Sequence, residues 1–306
     1  MKRLLLATLL LLTAAAHAET WRFVLIGDTP YDNAERRALP HMFERIAAEQ
    51  PAFIAHAGDI KSGSAPCSNT LFRDRHALFD AAAVPLIYVP GDNEWTDCSR
   101  IMAGGFDPLE RLQKLREIFF AEPFSLGKNR LKVERQSAAY PEHQRWRLGP
   151  ALFLTLNVPG GNNNYGRGFA PGAEFLERNP LTVDWLRQGF ATARREKSAA
   201  IVVIMQANPG FKHFAAGLAH SGFRELLETL REETQAFSGQ VLLVHGDTHT
   251  QRIDHPLRHS QSKLPLANFT RVETFGNPFM GWTTVTIDSE RPQRLRFAVH
   301  PYLRKD

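Results

Sequence analysis

Four glycine–aspartate pairs recur along the chain, Gly27-Asp28, Gly58-Asp59, Gly91-Asp92 and Gly246-Asp247, and each closes a short apolar run. One such pair is an ordinary turn signal, because glycine takes positive φ and aspartate bonds the nearby backbone. Four at the ends of apolar runs would converge on one cleft, with each glycine turning the chain and aiming the carboxylate that follows it. Carboxylates gathered in that way repel one another unless cations lie among them. The chemistry this implies is an oxygen-rich divalent-metal site.

The runs that must position these residues are Phe23 to Ile26, Phe53 to Ala57, Val84 to Val89, Leu152 to Leu156, Ile201 to Met205 and Val241 to His245. Short runs of Val, Ile, Leu and Phe without alternation suit strands buried on both faces. Helical spacing is predicted between them over Ala34 to Gln50, Thr70 to Ala83, Pro108 to Phe120, Val183 to Arg195 and Phe223 to Phe237. Arg145 to Leu148 reads as a strand turning at Gly149-Pro150 into the next. Asn268 to Thr274, Trp282 to Asp288 and Arg294 to Val299 read as consecutive antiparallel strands. The class is α/β with a substantial antiparallel portion, and ligands in such sheets sit at the carboxyl ends of the strands.

The strand ends read Gly27-Asp28-Thr29-Pro30, Gly58-Asp59, Gly91-Asp92-Asn93-Glu94, Gln206 after the fifth run, and His245-Gly246-Asp247-Thr248-His249. In order, strand context and spacing this set resembles the calcineurin-like metallophosphoesterases, whose pattern is Asp-x-His, Gly-Asp, Gly-Asn-His-Asp/Glu, a lone His after a strand, and Gly-His-x-His. The resemblance implies a four-layer αββα sandwich of two mixed β-sheets flanked by helices, phosphoester hydrolysis, and a pair of metals. It places Asp28 and His249 on the first metal, Asp59 between the two, and Asp92, Gln206 and Asp247 on the second. Asn93 takes the place of the histidine that protonates the leaving group, while Pro30 stands where another histidine ligand would be and cannot coordinate.

These departures change the expected chemistry. Two divalent ions would be neutralised by Asp28, Asp59, Asp92 and Asp247, so they would attract phosphate and acidify bound water less than a cluster with residual positive charge. Carboxylates in place of imidazoles favour Mn²⁺ or Mg²⁺ over Zn²⁺, with Ca²⁺ and iron also accommodated, and one or two ions are expected. A missing general acid costs about 10²- to 10⁴-fold and favours good leaving groups. His245, two and four residues before Asp247 and His249, would share their face in an extended chain and is a substitute for proton transfer. His56, three before Asp59, is a weaker one. Asn162 and Asn163, in the polar loop Asn157 to Tyr165, are candidate substrate contacts beside Asn93, and Arg100 and Arg271 are candidate phosphate forks. Two functions remain: an exported metallophosphoesterase acting on a mono- or diester, or a metal- and ligand-binding protein of the same fold without turnover.

Composition sets the frame. The chain has 306 residues, 43% hydrophobic and 23% charged, with a mean hydropathy of −0.30, the profile of a soluble globular chain with one substantial domain over 19–306. Met1 to Ala18, with Lys2, Arg3, an apolar stretch and Ala16-His17-Ala18, reads as a cleavable secretory leader too short to span a bilayer. Export, most simply to a bacterial periplasm, would join Cys67 and Cys98 in a disulfide, whereas a reducing compartment would leave two thiols. The net charge of +5 is scattered among Asp and Glu, so nucleic acid is not an expected partner. A small phosphorylated substrate is.

Overall fold

The computed structural model describes residues 19–166, 170–217, 221–288, 290–291 and 294–302, so the leader expected over 1–18 lies outside the described residues. In chain order the strands are β1 (Thr20–Ile26), β2 (Ile54–His56), β3 (Leu86–Tyr88), β4 (Glu134–Arg135), β5 (Gln144–Leu148), β6 (Ala151–Thr155), β7 (Ala200–Ile204), β8 (Gln240–His245), β9 (Arg252–Asp254), β10 (Phe269–Glu273), β11 (Gly281–Asp288) and β12 (Arg296–Pro301). They form a five-stranded sheet ordered β12-β11-β1-β2-β3 and a seven-stranded sheet ordered β4-β5-β6-β7-β8-β10-β9. Both are mixed: the five-stranded sheet is parallel from β1 to β3 and antiparallel from β1 to β12, and the seven-stranded sheet has a parallel centre with antiparallel margins.

Side-chain alternation along β1 sets up the layers. Phe23 and Leu25 face inward to a shared core with Phe153, Val202, Ile204 and Val244 of the second sheet. Their neighbours Val24 and Ile26 turn to the other side and pack with Leu39, Met42 and Ile46 of helix α1 (Asn33–Ala48). The strands are thus buried on both faces, which is why their sequences show apolar runs rather than alternation. Helices α2 (Asn69–Asp80) and α3 (Pro108–Phe119) complete the outer layer on that side. Asp32, Ser68 and Asp107 cap the three helices by accepting backbone N–H bonds at their first turns. Across the second sheet lie α5 (Ala173–Arg195) and α7 (Ser221–Ala236), which bury Trp185, Leu186, Phe190, Leu226 and Leu230 against it. The order is helices, sheet, sheet, helices, as expected.

Two local expectations are corrected. The segment 268–274 does not continue into 282–288 as a neighbouring strand: β10 runs parallel to β8 in the seven-stranded sheet, whereas β11 crosses over to pair antiparallel with β1. Val272 and Val285 both face the inter-sheet core, so their apolar pattern is the same whichever sheet each joins. The helix expected from Val183, α5, begins at Ala173 and carries Pro180 inside it. Its first turns are anchored through Arg178, which bonds Glu174, Asn163 and the Asn157 carbonyl, so tertiary contacts hold what the proline would weaken.

Candidate metal centre and active-site cleft

The loops after β1, β2, β3 and β8 meet at the carboxyl ends of the two sheets. Asp28, Asp59, Asp247 and His249 each take a left-handed backbone, at φ of 49°, 58°, 79° and 54°. Such angles are strained for non-glycine residues and cluster where surrounding structure enforces them. The expected division of labour between glycine and aspartate is therefore corrected: of the four preceding glycines only Gly58 has positive φ. The others are needed for close approach. A Cβ on Gly91 would fall 2.1 Å from Asp59 Oδ1, one on Gly246 2.2 Å from Asp28 Oδ2, and one on Gly27 2.5 Å from Thr274 Oγ1. Bare backbone makes the cradle, and the aspartates make the turn.

Hydrogen bonds draw the cluster together. The Asp247 amide donates to Asp28 Oδ1 at 3.0 Å, the Asn208 amide to Asp247 Oδ2 at 2.9 Å, and the Asn93 amide to Asp59 Oδ1 at 3.2 Å. His249 Nε2 stands 3.7 Å from Asp28 Oδ1, and its Nδ1 is held by the Asn277 carbonyl at 2.6 Å. Burial, with repulsion from the neighbouring carboxylates added to it, holds the acids of Asp28 and Asp59 well above the usual carboxylate range. Burial likewise pushes Asp92 and Asp247 up to about 6. Charges this hard to bear in a dry cleft are those a bound cation would relieve.

The donor set fits divalent ions chemically: four carboxylates and one imidazole whose second nitrogen is fixed by a carbonyl. As the side chains stand, no three His, Cys, Asp or Glu groups among the described residues close on a single point in ligand geometry. Polar neighbours bond to the carboxylates instead. Gln206 is the clearest, since its Nε2 donates to Asp59 Oδ2 at 3.2 Å and to Asp92 Oδ1 at 3.0 Å, while its Oε1 accepts from the Gly160 amide at 2.6 Å. As placed, Gln206 presents its donor rather than its acceptor to the cluster and bridges Asp59 and Asp92, two carboxylates expected around the second metal.

The other predicted residues divide. Asn93 is at the cleft, donating from Nδ2 to the Tyr31 hydroxyl at 3.0 Å and to the Lys61 carbonyl at 3.1 Å. His245 is not brought to it: its Nδ1 meets the Gly246 carbonyl at 2.8 Å, its Nε2 faces Arg271 at 3.2 Å, and burial lowers it to about 3, so it is an uncharged structural ring. Asn163 is also corrected. It is fully buried, giving Nδ2 to Asn179 and the Gly222 carbonyl and accepting from Arg178, so no part of its amide is left for substrate. Asn162 accepts from the Gly222 amide at 3.1 Å. Gly161, Asn162, Asn163 and Asn164 are consecutive left-handed residues, φ 51° to 61°, and asparagine is the side chain that best tolerates that backbone. The loop's composition therefore encodes a turn, α4 (Gly160–Asn163), which closes over the cleft through Gly160. His56 is structural too, bonded to the Thr29 carbonyl and the Gly58 amide. Arg271 is locked to Asp254, and Arg100 pairs with Asp97.

Sequence reasoning missed Tyr31. Its hydroxyl donates to Asp59 Oδ2 at 3.1 Å and lies 3.0 Å from His249 Nε2. Glu35 fixes its backbone, accepting from the Tyr31 amide at 2.8 Å and from Thr29 Oγ1 at 3.2 Å. The available signal was its place directly after Pro30 in the first strand-end loop. Glu94 was missed as well, and its Oε1 gathers the Ile60 amide, the Gly91 amide and the Tyr88 hydroxyl, joining the second and third loops. Cys67 and Cys98 form a disulfide, with Cα atoms 5.8 Å apart, behind the Asn93 carbonyl.

A family model described as calcineurin-like phosphoesterase matches residues 22–251, the span that contains every residue of this cluster. The chain belongs to that family. No curated protein matches it, but solved structures share the fold. PhoD aligns over 88% of this chain and 64% of its own at 15% identity and a TM-score of 0.54. The purple acid phosphatase PPD1 of yellow lupin, Lupinus luteus, aligns over 92% and 52% at 12% identity and 0.52. A dimetal phosphatase from Danio rerio aligns over 92% and 99% at 12% identity and 0.49. The chain thus spans about half of the lupin enzyme. Membership among the calcineurin-like phosphoesterases supports divalent-metal-dependent hydrolysis of small phosphorylated substrates.

Proposed function

We propose that the protein is an exported, metal-dependent phosphoesterase of the bacterial periplasm that favours phosphoesters with good leaving groups. The observation that carries this reading is the convergence of buried Asp28 and Asp59 with half-buried Asp92, Asp247 and His249 at the carboxyl ends of strands from both sheets. Asp28, Asp59 and His249 would hold one divalent ion, and Asp59, Asp92 and Asp247 a second. Ions bound there supply an activated water and offset charge on the phosphoryl oxygens. Tyr31 orients Asp59 and His249 with its hydroxyl. Asn93 is no acid and gives both of its amide hydrogens to Tyr31 and the Lys61 carbonyl, which is why esters with low leaving-group pKa suit the site. The oxygen-rich set favours Mn²⁺ or Mg²⁺.

Gln206 favours a second reading. Its amide nitrogen between Asp59 and Asp92 fills part of the second ion's place, as in a binding protein that keeps one ion and does not turn over. Elemental analysis of protein purified without chelator, with hydrolysis of an activated aryl phosphate in Mn²⁺, tests both. Two equivalents of metal and chelator-sensitive turnover lost in Asp59→Asn support the enzyme. One equivalent without turnover on mono- or diesters supports the binding protein.

A further inference from the structure

A basic groove leads away from the cleft. It starts at Asn208, whose amide bonds Asp247 and whose Nδ2 donates to Thr248 Oγ1 at 3.1 Å. A chamber of about 480 Å³ runs from there between α6 (Phe211–Ala215) and the 252–258 segment, and a second of about 360 Å³ continues it against α7. The two share Ala215, Pro256 and Arg258.

Charge distinguishes the outer chamber. Arg224, Arg231, Arg258 and Lys263 line it with a single carboxylate, Glu228. None of these four cations pairs with a carboxylate among the described residues; Arg258 and Lys263 instead donate to the Lys263 and Ser260 carbonyls, at 2.9 and 2.6 Å, which leaves their charges uncompensated. Arg231 lies over the Phe214 ring at 4.9 Å, and its Nε is buried without a hydrogen-bond partner. The inner chamber adds Lys212, also unpaired, while its Arg252 and Arg271 are matched by Glu273 and Asp254. Cations crowded in a concavity repel one another and focus a positive potential into it, an arrangement that an anion stabilises. Guanidinium forks suit the oxygens of a phosphoryl group, and a hydrophobic or carboxylate-neutralised groove would need none of them.

We infer that this groove binds a second phosphoryl group of the substrate, so that the preferred ligand carries two, one at the aspartate cluster and one among Arg224, Arg231, Arg258 and Lys263. The inference rests on the cleft being a phosphoester site, but its test does not depend on turnover. Alkane α,ω-bisphosphonates of increasing length, whose carbon–phosphorus bonds a phosphoesterase leaves intact, are titrated calorimetrically into the metal-loaded full-length mature protein beside the matching monophosphonates. At one chain length the bisphosphonate should bind about tenfold tighter or better. That advantage should vanish in Arg258→Ala/Lys263→Ala and, independently, in Arg224→Ala, all three being exposed side chains, while aryl phosphate hydrolysis is unchanged. Equal affinities at every length, or an advantage that survives both variants, overturns the inference. A bisphosphonate advantage that persists when the monophosphonate competes without loss marks a free-anion site rather than a substrate subsite and also overturns it. Absent turnover alongside an intact advantage would count against the esterase and leave the groove standing.

Discussion

Asn93 donates to the hydroxyl of Tyr31 at 3.0 Å, and that hydroxyl in turn donates to Asp59. Asn93, the residue expected in the leaving-group position, thus acts on the cluster through a phenol, which burial and the surrounding carboxylates keep protonated. Tyr31→Phe removes the donor to Asp59 and leaves His249 held only through its Nδ1 at the Asn277 carbonyl. Hydrogen bonds to charged groups contribute about 1.5–3 kcal/mol, so steady-state hydrolysis of an aryl phosphate should fall about 10- to 100-fold with thermal stability nearly unchanged. An unaltered rate would remove Tyr31 from the machinery.

Asp92 has the sign of a destabilising group. Its folded-state pKa, raised from 3.8 to about 6, means that its protonated form is the one folding favours. Its contribution to stability is full below pH 3.8 and is lost as pH rises through about 6. In chelator, Asp92→Asn should therefore raise the melting temperature at pH 8, by an amount equivalent to about 1–3 kcal/mol, and not at pH 4. Comparing variant with parent cancels the opposite contribution of neutral His56, His143 and His245, lowered by burial to about 4, 4 and 3. With Mn²⁺ present the order should reverse, because the variant loses a ligand.

Gly160 closes the cleft without a side chain. A Cβ there would meet Asp92 Oδ2 at 2.5 Å and Asp247 Oδ1 at 3.0 Å. Gly160→Ala should displace those carboxylates, lower metal affinity measurably in a competition titration, and reduce kcat by up to about 10²-fold, the effect of a misplacement near 1 Å.

Asn163 belongs to the fold rather than to substrate. Arg178 is 1% exposed and uses both the side chain and the carbonyl of Asn163. Asn163→Ala strands part of that buried charge and should cost about 1–3 kcal/mol in denaturant unfolding, with kcat/KM per folded molecule within about twofold of the parent. A selective loss of kcat/KM at full stability would return Asn163 to the substrate.

Strand-end chemistry was legible because it is local: Asp28, Asp59, Asp92, Asp247 and His249 each follow an apolar run, and the folded sheets bring the run ends to one side. What a side chain does once there depends on neighbours far away in sequence. His245 shares a strand face with nothing in the cleft because Arg271, on the adjacent strand, takes its ring. Asn162 and Asn163 looked like ligand amides, and only the left-handed backbone and Arg178 reveal them as a turn. Tyr31 needed the crossing of β1 with the 247–249 loop, a separation of 218 residues, to be seen.

Strand β1 lies in the middle of its sheet, with β2 on one side and β11, residues 281–288, on the other. The first strand of the described chain therefore cannot be closed in until nearly the last has been made. A nascent or truncated chain ending before Gly281 would carry an open, apolar strand edge beside the Asp28 loop, and loop-closure entropy delays its pairing further. Closure of the sheet beside the Asp28 loop is thereby deferred until residues 281–288 have been made, so the earliest strand and one of the latest are sealed in a single step.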